Sequence, residues 1–253
     1  MRAGRLSRRL PYRREALSEP RLARLQRSIY SGRNGRNGSN ASLDTDSAMV
    51  TFAEFLENAA AKREFVNLLF EERVFELIGT LQKLSRPLEQ ADVPHELVGG
   101  LAVFLHVENA DSTHSSLTRD IDLLIRRDDL SRVQAIAQEH GFRFRHSAGL
   151  DRLLYGETNS ARNAVHLLYV GEKVKATQLE PHPALHPVRA ALHGQDFQVI
   201  PVVDLVRMKL SSWRDKDRVH VRGMDAAGLV TVDVEKALSE PLQARLRHVR
   251  EAE

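Results

Sequence analysis

The chain reads as an α/β protein of the α+β kind, a sheet core with helices on either side of it in the sequence. Three observations predict this. Short strand-length apolar runs recur through the middle of the chain and end in Ala164 to Val170 and Phe197 to Ile200. Between Pro94 and Gly141 these runs alternate with helix-length stretches, in the order strand, helix, strand, helix. Before and after this middle part, apolar residues recur at helical spacing instead.

Residues 1–48 stand apart. They carry eleven arginines against four acids, few bulky apolar residues, and the run GRNGRNGSNAS from Gly32 to Ser42. Such a segment cannot offset the entropy of ordering, so it reads as a disordered Arg-rich leader, with Met49 as a plausible start. Residues 49–93 form an N-terminal helical segment. Phe52, Phe55 and Leu56, then Phe65, Leu68 and Leu69, then Val74, Leu77, Ile78, Leu81 and Leu84 mark its buried side. Pro87 suggests a kink or break.

Residues 94–200 form the sheet core. A strand ends at Gly99, a helix runs from Leu101 to about Val107, and a polar loop spans Glu108 to Ser116. The next strand covers Leu117 to Ile125. Asp128-Asp129 opens a helix with Leu130, Val133, Ile136 and Ala137 on its buried side, closed by Gly141. Phe142 to Arg145, Leu150 to Tyr155 and AVHLLYV from Ala164 read as strands. The stretch Gln178 to His193 holds three prolines and three histidines, and the prolines prevent the helix that would align His182 with His186; it reads as an exposed loop. Residues 201–253 form a C-terminal helical segment. One helix starts after Pro201, a second spans Asp215 to Ala227, and a third opens at Val232-Asp233 with Asp233 as its cap.

Composition narrows the function. With 42% hydrophobic residues the chain can bury a substantial core. It has no cysteine, which excludes disulfides and thiolate metal sites and leaves cytoplasm as the default location. No apolar run reaches the length of a membrane span. The net charge of +3 is carried by the leader, and the remainder is slightly acidic, so the isoelectric point does not argue for a nucleic-acid-binding core.

The chemistry points to His95–Arg126. In the strand reading, Asp120 and Asp122 face the same way, about 7 Å apart along the chain. Two such carboxylates repel unless a cation sits between them, and oxygen ligands of this kind suit Mg²⁺ completed by substrate phosphates. Gly99-Gly100 precedes a helix, where glycine lets backbone approach a ligand and the helix N-terminus offers N–H groups to an anion.

Gly-Gly before a helix, followed by Asp-x-Asp on the next strand, resembles the polymerase-beta-like nucleotidyltransferase superfamily. The closer look-alikes are the small bacterial transferases, including those of abortive-infection and type IV toxin–antitoxin systems. MKLSSWRDKDRVHVRGMDAAGLV, from Met208, is similar to the helical segment that follows the catalytic sheet in those proteins. The resemblance implies a mixed β-sheet core with flanking helices and a metal-dependent transfer of a nucleoside monophosphate from a nucleoside triphosphate. It implies that Asp120 and Asp122 hold Mg²⁺ or Mn²⁺, that Gly99 and Gly100 cradle the phosphates, and that Lys209, Lys216 or Arg119 neutralises the leaving pyrophosphate. The superfamily's third carboxylate is missing. The corresponding strand is AVHLLYV, whose polar residue is His166, a candidate base or a mark of a site that no longer turns over. Asp151 and Glu157 are the nearest substitutes. Two readings follow: an active nucleotidyltransferase whose acceptor is a small molecule, a protein or RNA, and a catalytically degraded nucleotide-binding or toxin–antitoxin-type interaction protein, with an antitoxin-like partner. Neither involves a membrane.

Overall fold

The computed structural model describes residues 72–115, 118, 120–156, 164–192 and 195–251. These belong to one contact unit, Leu68–Glu253. The leader, the stripes from Phe52 to Leu69, Leu117, Arg119, Glu157 and His193 lie outside the described residues.

Helix α1 covers residues 72–90 and continues through Pro87. Its stripe Leu77, Leu81, Leu84 and Leu88 is wholly buried, as helical spacing requires of one face. Strand β1 (His95–Val98) leads directly into α2 (Gly99–Asp111). This helix is longer than the sequence suggests at both ends, and Glu108 to Asp111 belong to it. Asn109 holds that last turn by donating to Leu105 O (2.7 Å) and to Ala191 O (2.9 Å). Leu101 through Leu105 are all buried, so the first turns of α2 are covered on every side.

Strand β2 is shorter than the sequence reading, Ile121–Ile125. A 3₁₀ turn at Arg127–Asp129 leads into α3 (Leu130–Glu139), which ends at Gly141 in a left-handed conformation. Strands β3 (Phe142–Ser147) and β4 (Leu150–Tyr155) form a hairpin, followed by β5 (Ala164–Tyr169), β6 (Val188–Leu192) and β7 (Gln195–Val199). The strand β6 falls within the stretch read as an exposed loop. Helix α4 (Val202–Ser212) follows Pro201, and α5 is Asp215–Ala226. The final helix of the sequence reading is two helices, α6 (Val232–Lys236) and α7 (Glu240–Glu251). The first is capped by Thr231, whose hydroxyl accepts from Val234 N, and not by Asp233.

The seven strands make one mixed sheet in the order β3-β4-β5-β2-β1-β7-β6. The central pairs are β1 antiparallel to β2 and β2 parallel to β5. This is the mixed α/β architecture anticipated from the sequence. Its register sets the site: Val98 lies opposite Asp122, and Asp122 beside His166.

Candidate active site

Gly99 has φ +74°, a conformation that favours glycine. It is the first residue of α2 and follows a strand that pairs with β2. That placement brings its backbone against the Asp122 side chain: a Cβ on Gly99 would lie 2.7 Å from Asp122 Cγ. Gly100 is crowded from another side, where a Cβ would meet Thr118 Oγ1 at 2.5 Å and His220 Cε1 at 3.4 Å. No side chain caps the N-terminus of α2, and no acid occupies its first turn. The N–H groups there are available to an anion.

Around this junction is a cavity of about 180 Å³. Gly99, Asp120, Asp122, His166, Lys209 and Lys216 all line it; Gly100 does not. The acid pair therefore faces the glycine turn, on the same side of the sheet. His166 Nδ1 lies 3.0 Å from Asp122 Oδ1, as their neighbouring positions in parallel strands require. Burial works against the ionised form of Asp122. The hydrogen bond and charge of His166, with the charges of Lys209 and Lys216, outweigh it and hold the carboxyl below its ordinary value. Asp120 is more exposed, and Lys216 Nζ approaches its Oδ2 at 4.0 Å.

Lys209 is not on a solvated helix face. Its side chain is 5% exposed, and its Nζ lies 3.3 Å from Oδ1 of Asp217, which is fully buried. Burial pushes the Lys209 ammonium down from its ordinary value, countered by Asp217 and Asp122. Asp217 also accepts from Arg214 Nε (2.7 Å) and from the Arg214 backbone N (3.2 Å). Burial raises its pKa, but the Arg214 hydrogen bonds and the Lys209 and Arg214 charges prevail and leave it at about 2. The i, i+8 pair ties α4 to α5 and brings Arg214 to the cavity wall.

Three residues on that wall escaped the sequence reading. Arg214 lies within the segment from Met208, where nothing in the sequence singles it out. Gln178 and His182 belong to the proline-bearing stretch read as exposed, yet both are buried. His182 exchanges backbone hydrogen bonds with the turn after β5, Gly171 N to His182 O (3.0 Å) and His182 N to Glu172 O (2.9 Å). Its Nδ1 meets Tyr169 O at 3.0 Å. No periodicity marks such a segment, because its backbone bonds go to a strand end far from any regular ladder.

One further sequence candidate lies elsewhere. Asp151 is on the opposite face of the sheet, where it accepts from the Tyr169 hydroxyl and pairs with His146 Nδ1 at 2.6 Å. Arg127 stacks over Tyr169, 3.5 Å from the ring centroid. This network cannot lend a carboxylate to Asp122.

Among the described residues, no three His, Asp or Glu side chains converge as a metal cage. Two carboxylates do share the cavity, and Mg²⁺ is held by one or two carboxylates with substrate phosphates completing its shell. Asp120 and Asp122 fit that requirement. The imidazole of His166, bonded to Asp122, fits the role of orienting a ligand better than that of a third ligand to a hard ion.

The sequence matches no protein-family profile and no curated protein. In shape the chain is similar to several solved structures. One is the antibiotic-resistance factor ANT(2'')-Ia, at 13% identity over 69% of this chain and 93% of that one, with a TM-score of 0.44. Another is an antigenic nucleotidyltransferase-like protein from Paracoccidioides brasiliensis, at 16% identity over 69% and 87%, TM-score 0.47. A third is the Megavirus polyadenylate synthase, at 10% identity over 78% and 41%, TM-score 0.43.

Proposed function

We propose that the chain is a metal-dependent nucleotidyltransferase, moving a nucleoside monophosphate from a nucleoside triphosphate to a hydroxyl acceptor. One observation carries the reading: Gly99, in a glycine conformation at an uncapped helix N-terminus, abuts Asp122 in a cavity that also holds Asp120 and the basic side chains of Lys175, Lys209, Arg214 and Lys216. Phosphates and the cation that neutralises them need this combination of N–H donors, paired carboxylates and positive charge. The cavity is smaller than the roughly 300–1,000 Å³ that encloses a whole drug-sized ligand. It suits the polyphosphate end, with base and acceptor at the rim.

Asp120 and Asp122 are the residues to hold Mg²⁺ or Mn²⁺. Such an ion lowers the charge barrier between an attacking oxygen and a polyphosphate. The α2 N–H groups bind phosphate oxygens. Lys209, Arg214 and Lys216 stand where negative charge builds on departing pyrophosphate. His166 orients the Asp122 carboxylate.

The test is pyrophosphate release from each labelled nucleoside triphosphate with Mg²⁺ or Mn²⁺. Asp120→Ala and Asp122→Ala are each expected to lower turnover at least ~10²-fold, the scale of losing a group that stabilises transition-state charge. Wild-type protein that binds no triphosphate would end this reading.

The second reading, a nucleotide-binding protein without turnover and with a protein partner, has His166 in its favour: an imidazole stands beside Asp122 where the resemblance expects a carboxylate. His166→Asp separates the two. The transferase reading expects the variant to lose activity. Mg²⁺-dependent turnover gained by the variant favours the second.

A further inference from the structure

The sheet register extends the site beyond the cavity. Asp122 lies beside His166, His166 opposite Arg152, and Arg152 opposite Arg145. Directly paired residues share a face, so the four side chains form one row across β2, β5, β4 and β3. With strands about 4.8 Å apart, the two guanidinium-bearing positions lie about 10 Å and about 15 Å from Asp122. The cavity wall already reaches β4 at Leu150, which occupies the same face as Arg152.

Around this row the sheet is open on that face, which is covered only farther along, at Leu154 and Ala164. Arg145 is exposed and Arg152, His166, Leu150 and Leu168 are half-buried, whereas Asp151, Leu153, Val165 and Leu167 on the other face are buried. Neither arginine has a carboxylate partner among the described residues. Arg152 Nη1 donates to Ser147 Oγ at 3.3 Å, and its Nε is buried without a partner. Elsewhere on the surface, arginines such as Arg127, Arg207, Arg218 and Arg250 are paired with acids. Two unpaired guanidiniums in line with an acid pair offer spaced sites for successive phosphates.

We infer that the acceptor is the 3′ end of a single-stranded nucleic acid, its terminal hydroxyl at the acid pair and its upstream phosphates on Arg152 and Arg145. This rests on the transferase reading and names its acceptor. In the step, the terminal 3′-oxygen bonds the α-phosphorus of the triphosphate and the α–β phosphoanhydride bond breaks. Pyrophosphate leaves with the bonding pair, and the hydroxyl proton passes to water. Affinity comes from backbone phosphates, so binding tolerates many sequences and falls steeply with salt.

The experiment uses the full chain with labelled single-stranded RNA and DNA oligonucleotides of the same sequence, titrated by anisotropy at several salt concentrations. Triphosphate binding and transfer to the oligonucleotide are measured in parallel. The eleven arginines of residues 1–48 are common to every variant, so their contribution cancels. Replacing both Arg145 and Arg152 by alanine is expected to weaken oligonucleotide binding about tenfold at low salt. It is expected to reduce the slope of log affinity against log salt by about 1.4, two single-strand phosphate contacts. Triphosphate binding is expected to stay unchanged. Arg145→Lys with Arg152→Lys is expected to restore the slope, and Arg189→Ala, at the opposite sheet edge, to leave it alone. An unchanged slope in the double alanine variant overturns the inference, as does transfer to small hydroxyl acceptors with none to either oligonucleotide. Wild-type protein that binds no triphosphate instead overturns the transferase reading, whichever way the oligonucleotide titration falls.

Discussion

Gly99 shows how much one side chain can disturb. Its positive φ costs an L-residue about 1–2 kcal/mol, and a Cβ there would displace the Asp122 carboxylate. Gly99→Ala is therefore expected to cut triphosphate turnover ~10²-fold, while the melting temperature falls by only a few degrees. Turnover close to wild type would mean that the glycine does not set the carboxylate's position. The Gly-Gly pair was legible in the sequence as a place for close backbone approach. That the first glycine answers to Asp122 and the second to Thr118 was not, because the contact depends on how β1 pairs with β2.

Helices α4 and α5 meet through Lys209 and Asp217, and here the charge pair serves packing as well as the cavity. Removing one member of a buried pair strands the other and typically costs about 3–5 kcal/mol. The two members are not equivalent. Without Lys209, Asp217 keeps three hydrogen bonds from Arg214. Without Asp217, Lys209 is left buried with no hydrogen-bond partner. Asp217→Ala is thus expected to lose more stability in urea than Lys209→Met, with the full penalty on the first. Equal losses would argue that Arg214 does not sustain Asp217. The helices themselves were readable from apolar spacing and from Pro201. The burial of Lys209 was not, since a lysine at that spacing reads equally well as solvated. The extra turn of α2 depended on Ala191, a partner that local propensity does not register.

Across the whole unit, Glu96 links β1 to distant segments. It is wholly buried, accepts from His186 N, and leaves Oε2 without a partner. Burial raises its carboxyl, the His186 hydrogen bond opposes this, and the Asp204 charge adds to it; the outcome is a pKa of about 7. A carboxyl raised in the folded state is neutral there while the unfolded chain already ionises. Its share of stability is fully present below the unfolded pKa of about 4.5 and is lost as pH rises to about 7. At about 1.4 kcal/mol per pKa unit, Glu96→Gln should gain roughly 1–3 kcal/mol on wild type between pH 4 and pH 8. Urea unfolding of both proteins across that range checks it. Parallel pH profiles would show that Glu96 ionises normally.

The sequence by itself determined the α/β class, the strand–helix–strand order around Gly99, and the residue types able to meet a cation and a polyphosphate. Those follow from short-range rules: period, capping and the alternation of side chains along a strand. Tertiary structure decided which of those residues share a cavity. The parallel pairing of β2 with β5 puts His166 against Asp122, the hairpin of β3 and β4 carries two arginines into the same row, and the segment around His182 folds inward onto the turn after β5. Each of these contacts joins residues far apart in the chain. Their geometry comes from strand register and burial, which no local pattern of residues encodes.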